Sequence, residues 1–286
     1  INIEEKATGE IMAGAGFGTE GTQLMFSVTE NNWLGRGVNL ISALSLSEEK
    51  INGNIAVTNP NYNFTGNAVS ASLDVSESDK TTTSGFKSSR TGAALGTSFE
   101  QYEDIYFSPS IDILHENIET ESSASDRLKK MDGDYFNANF TYGITIDKRN
   151  QSWQPTEGYK ASFFQSLPLI QDSSSIFNTL NISNYHDFSE DIIGSLKFQL
   201  KTVHGVDDDV RLSNRQYISS RKLRGFVRGK VGPKDGEDWV GGNYITGLSA
   251  EAQLPNLLPE SYKTDFGVYF DTANVWGVDY SDSVND

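Results

Sequence analysis

Leu223-Arg224-Gly225-Phe226 is the group in this sequence best equipped to fix a geometry. Arginine presents a planar fork of donors that meets a carboxylate through two parallel bonds. The glycine after it allows a sharp backbone reversal, and Phe226 offers an aromatic anchor against a wall. Downstream, Glu251 and Asp271 supply carboxylates of matching charge. The chemistry is positional: an ion pair that holds a loop tip, a tethered plug. The bland alternative is an exposed loop arginine with no fixed partner.

Other chemistries find less support. Gly16-Phe17-Gly18-Thr19-Glu20-Gly21 fits the dinucleotide pattern GxGxxG, but an alternating strand follows where a helix is required. His115, His186 and His204 lack metal-ligand spacing and the chain has no cysteine, so no metal site, disulfide framework or cofactor is expected. Asp207-Asp208-Asp209 could attract a divalent cation, but it reads as a solvated charge run. Neither a Ser-His pair nor paired acids stand out, so the chain does not read as an enzyme. A net charge of −16 argues against a nucleic-acid partner.

The elements that must position Arg224 are strands. Period-two alternation recurs along the chain. Between Tyr135 and Asp147, the residues Phe136, Ala138, Phe140, Tyr142, Ile144 and Ile146 share one face, and Asn137, Asn139, Thr141 and Thr145 share the other. Between Ser195 and His204, Leu196, Phe198 and Leu200 oppose Lys197, Gln199 and Lys201. Lysine and glutamine on an inner face fit a water-filled lumen better than a packed core. About thirteen strands are expected: Glu10–Gly18, Gln23–Glu30, Gly37–Leu46, Ile51–Asn59, Asn67–Val75, Thr91–Glu100, Tyr102–His115, Tyr135–Lys148, Tyr159–Leu169, Ile176–Phe188, Ile192–His204, Gly242–Leu254 and Thr264–Trp276. Compact turns are expected at 32–35, 59–61 and 154–158, and long polar loops at 76–90, 117–134 and 205–240. Trp33, Tyr62, Trp153, Tyr159 and Trp276 gather near strand ends as an interfacial girdle would. No apolar run approaches the roughly 18 residues of a membrane helix, which leaves a barrel open, since its strands alternate and keep mean hydropathy low. A soluble β-sandwich is the competing architecture.

A series of motifs resembles the C-terminal barrels of the BamA family of outer-membrane insertases, in the family's order and over nearly the whole chain. It runs from Gly14-Ala15-Gly16-Phe17-Gly18-Thr19-Glu20 through Asn32-Trp33-Leu34-Gly35-Arg36-Gly37 and Val57-Thr58-Asn59-Pro60-Asn61-Tyr62. Asp147 with Pro155-Thr156-Glu157-Gly158-Tyr159 comes next, then Leu223-Arg224-Gly225-Phe226 and Gly232-Pro233. Gly241-Gly242-Asn243, Tyr269-Phe270-Asp271 and Asn274-Val275-Trp276 close it. The resemblance implies an all-β transmembrane antiparallel barrel of the bacterial outer membrane, in which the loop arginine folds into the lumen onto wall carboxylates. Strand parity allows this: Glu251 shares a face with Ser249, and Asp271 with Tyr269. It further implies a first strand, Ile11, Met12, Ala13, Gly14, Ala15, Gly16, Phe17 and Gly18, that pairs weakly at a lateral seam and accepts a client's terminal strand.

The implied partners are nascent outer-membrane β-barrel proteins, accessory lipoproteins of the assembly complex and outer-membrane lipids. The expected layout is the end of a POTRA domain over residues 1–9 and a barrel over 10–286. The family barrel has sixteen strands, so this stretch is expected to lack the closing ones and not to insert proteins by itself. Two other functions stay open: a two-partner secretion transporter of the same superfamily, which carries the same loop motif, and a passive porin-like barrel.

Overall fold

A computed structural model describes residues 7–18, 21–124, 126–172, 174–206, 209–255, 257–258, 264–279 and 284. Ile1 to Lys6, Thr19, Glu20, Asp207 and Asp208, on which several of the expectations above fall, lie outside the described residues. The strands are β1 (Gly9–Gly18), β2 (Gly21–Trp33), β3 (Val38–Ser47), β4 (Lys50–Tyr62), β5 (Asn67–Lys80), β6 (Phe86–Tyr102), β7 (Ile105–Thr120), β8 (Gly133–Asp147), β9 (Gly158–Gln171), β10 (Ser175–Ser189), β11 (Ile192–Gly205), β12 (Lys234–Asp235), β13 (Asp238–Trp239), β14 (Tyr244–Leu254) and β15 (Phe266–Trp276). Two single helical turns, α1 (Thr81–Ser84) and α2 (Asp126–Lys129), sit between strands. Among the described residues, thirteen strands form one sheet in the order β1 to β11, then β14 and β15; β12 and β13 pair separately. The strand count matches the thirteen expected from alternation.

The described residues pack as two compact units, those within 1–100, 108–141 and 168–172 in the first, and those within 101–107, 142–167 and 173–286 in the second. In the first, β1 to β6 pair antiparallel with their sequence neighbours. Its burial is inverted relative to a soluble sheet. Phe136 is 44% exposed, whereas Asn137 and Asn139 on the opposite face are 4% and 8% exposed. The buried polar face is satisfied internally: Asn139 and Thr141 donate to Asp112 at 2.7 and 3.0 Å, and Arg90 donates to the fully buried Glu116 at 2.7 Å. Apolar out and polar in is the pattern a hydrocarbon solvent selects.

Three connections differ from expectation. The loop expected over 76–90 shrinks to α1 and Gly85, because β5 runs to Lys80 and β6 starts at Phe86. Ser, Asp and Lys residues stand opposite one another across this extension, and Lys87 Nζ lies 2.6 Å from Glu77 Oε1. The loop expected over 117–134 likewise shortens, as β7 reaches Thr120 and β8 begins at Gly133. The turn expected at Asn59-Pro60-Asn61 lies three residues further on. A register irregularity between Asn59 and Tyr62 absorbs Pro60, and positive φ falls on Asn63 and Phe64.

In the second unit, β9/β10, β10/β11, β11/β14 and β14/β15 pair antiparallel. In β15, Val268 and Phe270 are 54% and 67% exposed, while on the opposite face the Asp271 side chain is 3% exposed and Tyr269 is 53% exposed. The chain between β11 and β14 is the long connection of this unit, and it packs against the polar face of β14 and β15.

Candidate functional site

That connection is tied down before it reaches its tip. Val203 N–H donates to the Asn243 carbonyl at 2.8 Å, and Asn243 N–H donates to the Gly277 carbonyl at 2.7 Å. Gln216 and Gly242 exchange backbone bonds of 2.8 and 3.0 Å. Asp279 accepts from Val210 N–H at 2.6 Å and from the Asn243 side-chain amide. Tyr217 joins the two arms of the loop through its hydroxyl, which donates to the Trp239 carbonyl at 3.2 Å. Beneath these bonds, Ile218 and Leu223 of the loop pack with Ile245 of β14 and Val275 of β15, and Val231 and Ala273 close the edge. Ile245 and Val275 face each other in the ladder, so the cluster seats the loop on one point of the sheet. Burying a side chain of this size contributes about 1.5–3 kcal/mol.

Arg224 follows Leu223 and inherits its position. Its Nε and Nη2 donate to Asp271 Oδ2 and Oδ1, both at 2.8 Å, and its backbone N–H reaches Oδ2 at 3.1 Å. Nη2 also donates to Ser249 Oγ at 3.1 Å, and that hydroxyl donates onward to Asp271 Oδ1 at 2.6 Å. The guanidinium carbon lies 3.5 Å from the centre of the Tyr269 ring, within cation–π range. Glu251 stands further off, with Oε2 3.5 Å from Arg224 Nη1 and 3.6 Å from Lys197 Nζ. Asp271 is therefore the bidentate partner and Glu251 an electrostatic neighbour shared with a lysine. Its hydrogen bonds to Asp271 raise the Arg224 pKa further above the ordinary range, against the opposing effect of burial.

Gly225 takes φ +86°, where a side chain would be strained, and turns the chain away from the wall. The sequence expectation that Phe226 anchors the tip is wrong. Phe226 is 58% exposed, and Leu223, 6% exposed, does the anchoring from the other side of the arginine. With the chain reversing after the pinned residue, only the side chain before it can face the wall. Ser249 and Tyr269 had been placed on the right faces by parity but given no role, and Lys197 was read only as a sign of a wet lumen.

At the other end of the chain, β1 carries Ile11, Met12, Ala13, Gly14, Ala15, Gly16, Phe17 and Gly18 in ten-residue register with β2, from Gly9 opposite Glu30 to Gly18 opposite Gly21. It is one terminal strand of the sheet order. Ile11 and Phe17 are 81% and 87% exposed, and no atom lies within 4 Å of where a Cβ would stand on Gly14 or Gly16.

Residues 32–286 match the Omp85 superfamily domain. The chain is 22% identical to the outer membrane protein assembly factor BamA of Neorickettsia risticii (strain Illinois), over 98% of this chain and 38% of the relative. It superposes on the crystal structure of BamA from Haemophilus ducreyi lacking POTRA domains 1–3 with TM-score 0.85 and 20% identity, covering 96% of this chain and 59% of that one. CdiB from Acinetobacter baumannii matches with TM-score 0.55 and 12% identity, over 96% of this chain and 50% of its own. The stretch thus spans well under half of its curated relative and somewhat over half of the solved BamA chain.

Proposed function

Because the chain belongs to the Omp85 superfamily, we propose that this outer-membrane β-barrel is the core of an insertase that folds and inserts nascent β-barrel proteins. The observation that carries the reading is the match of residues 32–286 to the Omp85 superfamily domain beside the likeness to BamA, with β1 (Gly9–Gly18) as the strand that would take up a client. Such a strand can take up an incoming strand by β-augmentation, in which main-chain N–H and C=O groups supply the attraction and side chains set little specificity. Gly14 and Gly16 lower the packing that would hold a permanent partner.

On this reading Arg224 does no chemistry. It fixes the loop on β14 and β15, and with it the part of the wall against which the moving strand works. β1 begins at Gly9, one residue before the barrel boundary expected from the sequence. Nascent barrels, accessory lipoproteins and the surrounding lipid are the partners, and no nucleotide or metal takes part.

The test uses the full-length protein in liposomes, with a photo-crosslinking residue in place of Met12 or Ala15, during insertion of a labelled client barrel. The expected result is an adduct between β1 and the client's terminal strand. Insertion with no β1 adduct would sink strand addition. Delivery of an uninserted polypeptide into the vesicle interior would favour the second reading, a polypeptide transporter of the same superfamily, which the likeness to CdiB supports. Steady ion conductance alone would favour a porin-like barrel.

A further inference from the structure

Residues 211–234 contain eight arginines and lysines and no aspartate or glutamate, within a chain of net charge −16. A basic segment that dense would be expected to neutralise itself on acidic walls, and Arg224 does so. Lys222, two residues earlier, does not. Its position follows from its neighbours. Leu223 packs on Ile245, whose ladder partner on β11 is Lys201. Arg224 bonds Ser249, whose ladder partner on β11 is Lys197. Lys222 therefore lies beside two lysines of the β11 inner row. Burial lowers its pKa, and the charges of Lys197 and then Lys201 lower it further.

Among the described residues, the ammonium groups of Lys201 and Lys222 make neither an ion pair nor a hydrogen bond. Lys197 has Glu251 at 3.6 Å, and Arg224 shares that carboxylate. Three half-buried cations thus face one space with a fraction of one anion among them. Like charges brought together out of bulk water repel, and each unpaired one carries a desolvation cost.

We propose that Lys197, Lys201 and Lys222 form a binding site for a phosphate group, held between the wall of β11 and the pinned loop. Three ammonium groups arriving from a strand and a loop suit a tetrahedral anion with several oxygens better than a planar carboxylate, for which the arginine fork is the better match. Lys222 rides on the loop, so a bound phosphate ties the loop to β11, a strand the Arg224–Asp271 pair does not reach. Occupancy and loop seating then favour each other, by linkage. The site rests on the observed seat of the loop and not on the insertion activity, so it stands or falls separately from that reading.

The test is a calorimetric titration of the full-length protein, purified in a phosphate-free uncharged detergent at fixed ionic strength. Inorganic phosphate reads the free anion, and a soluble short-chain phosphatidate reads a lipid headgroup; the tighter of the two identifies the source. Saturable binding is expected, weakened roughly tenfold or more by Lys201→Gln or by Lys222→Gln and restored toward wild type by Lys201→Arg. Lys230→Gln, in the same loop but exposed, should leave it unchanged. Lys222→Gln alters the loop alone and keeps the test interpretable should a strand variant misfold. Absence of saturable binding by both probes would overturn the proposal. So would equal affinity in Lys222→Gln and wild type, or capture of an oligoglutamate peptide in preference to either phosphate probe.

Discussion

Removing the Arg224 side chain strands a carboxylate, and the structure gives the size of the effect. The Asp271 side chain is 3% exposed and accepts from Arg224 Nε, Nη2 and N–H and from Ser249 Oγ. In Arg224→Ala the two guanidinium bonds vanish, and a buried charge keeps one hydroxyl and one amide. Breaking a buried pair from one side costs about 3–5 kcal/mol. Arg224 is 29% exposed, so part of its attraction is already screened, and about 2–4 kcal/mol is the appropriate range. At about 1.4 kcal/mol per factor of ten, loop opening becomes roughly 30- to 700-fold more frequent. Arg224→Lys keeps a charge near Asp271 but loses the fork and the flat stacking on Tyr269, a loss of about 1–2 kcal/mol.

Amide hydrogen exchange over residues 216–231 of the full-length protein in micelles reads this opening directly, since exchange follows the open population when reclosing is fast. The discriminating result is an asymmetry. Asp271→Asn leaves Arg224 with Glu251 and solvent, and should cost less than Arg224→Ala, which leaves a charge buried. The double variant should exchange more slowly than Arg224→Ala alone, because the stranded charge is gone. If the two single effects simply add, or if exchange in Arg224→Ala stays within threefold of wild type, the pair does not hold the loop and the reasoning fails.

Three further outcomes follow from the same geometry. Leu223→Ala should destabilise the loop by about 2–4 kcal/mol in exchange or thermal melts, while Phe226→Ala, at 58% exposure, should fall within about 0.5 kcal/mol. Gly232→Val should expose the loop to trypsin at a cost of about 1–3 kcal/mol, because φ is +105° and the new Cβ would stand 2.8 Å from the Val275 Cβ. Asn150→Ala should lower the urea midpoint by the equivalent of about 1–2 kcal/mol, since its side chain donates to Thr156 Oγ1 at 2.7 Å and accepts from Thr156 and Glu157 N–H at 3.2 and 3.3 Å; Asn150→Asp, which keeps the two accepted bonds, should lose less.

Alternation revealed the strands wherever one face meets apolar surroundings and the other does not. Phe136 against Asn137 is such a place. It failed at 76–80, where the strand continues with polar residues on both faces, and at 117–120, where Ile118 stands alone among polar residues and one apolar position marks no period. Pro60 looked like a turn because proline cannot donate to a ladder, but an irregularity at Asn59 to Tyr62 accommodates it. At the candidate site, parity sufficed to place Glu251 and Asp271 on usable faces, because strand side chains have a fixed period. It could not rank them, since the distances of 2.8 Å to Asp271 and 3.5 Å to Glu251 depend on the path of the loop. The same path explains Phe226: burial of a loop aromatic is set by which way the backbone leaves Gly225, and hydrophobicity alone does not say.

The arrangement around Arg224 also answers a problem of register. Ser249 stands opposite Asp271 in the β14–β15 ladder, and Glu251 opposite Tyr269. The guanidinium contacts all four of these residues, one two-by-two block of the ladder. A slip of β15 by one residue would turn Asp271 and Tyr269 outward and bring Phe270 or Thr272 to the loop instead. Fork, charge and ring would be lost together. A slip of two residues keeps the faces, and against it the outer face discriminates little, because Ala250 and Ala252 opposite Phe270 and Val268 present only apolar surface to an apolar surrounding, and a pairing slipped by two would be nearly as well solvated there. A buried ion pair that contributes little net stability can still select one pairing over its neighbours. Loop and register are therefore conditional on each other: the loop seats only on correctly paired strands, and its seating stabilises that pairing by the same free energy.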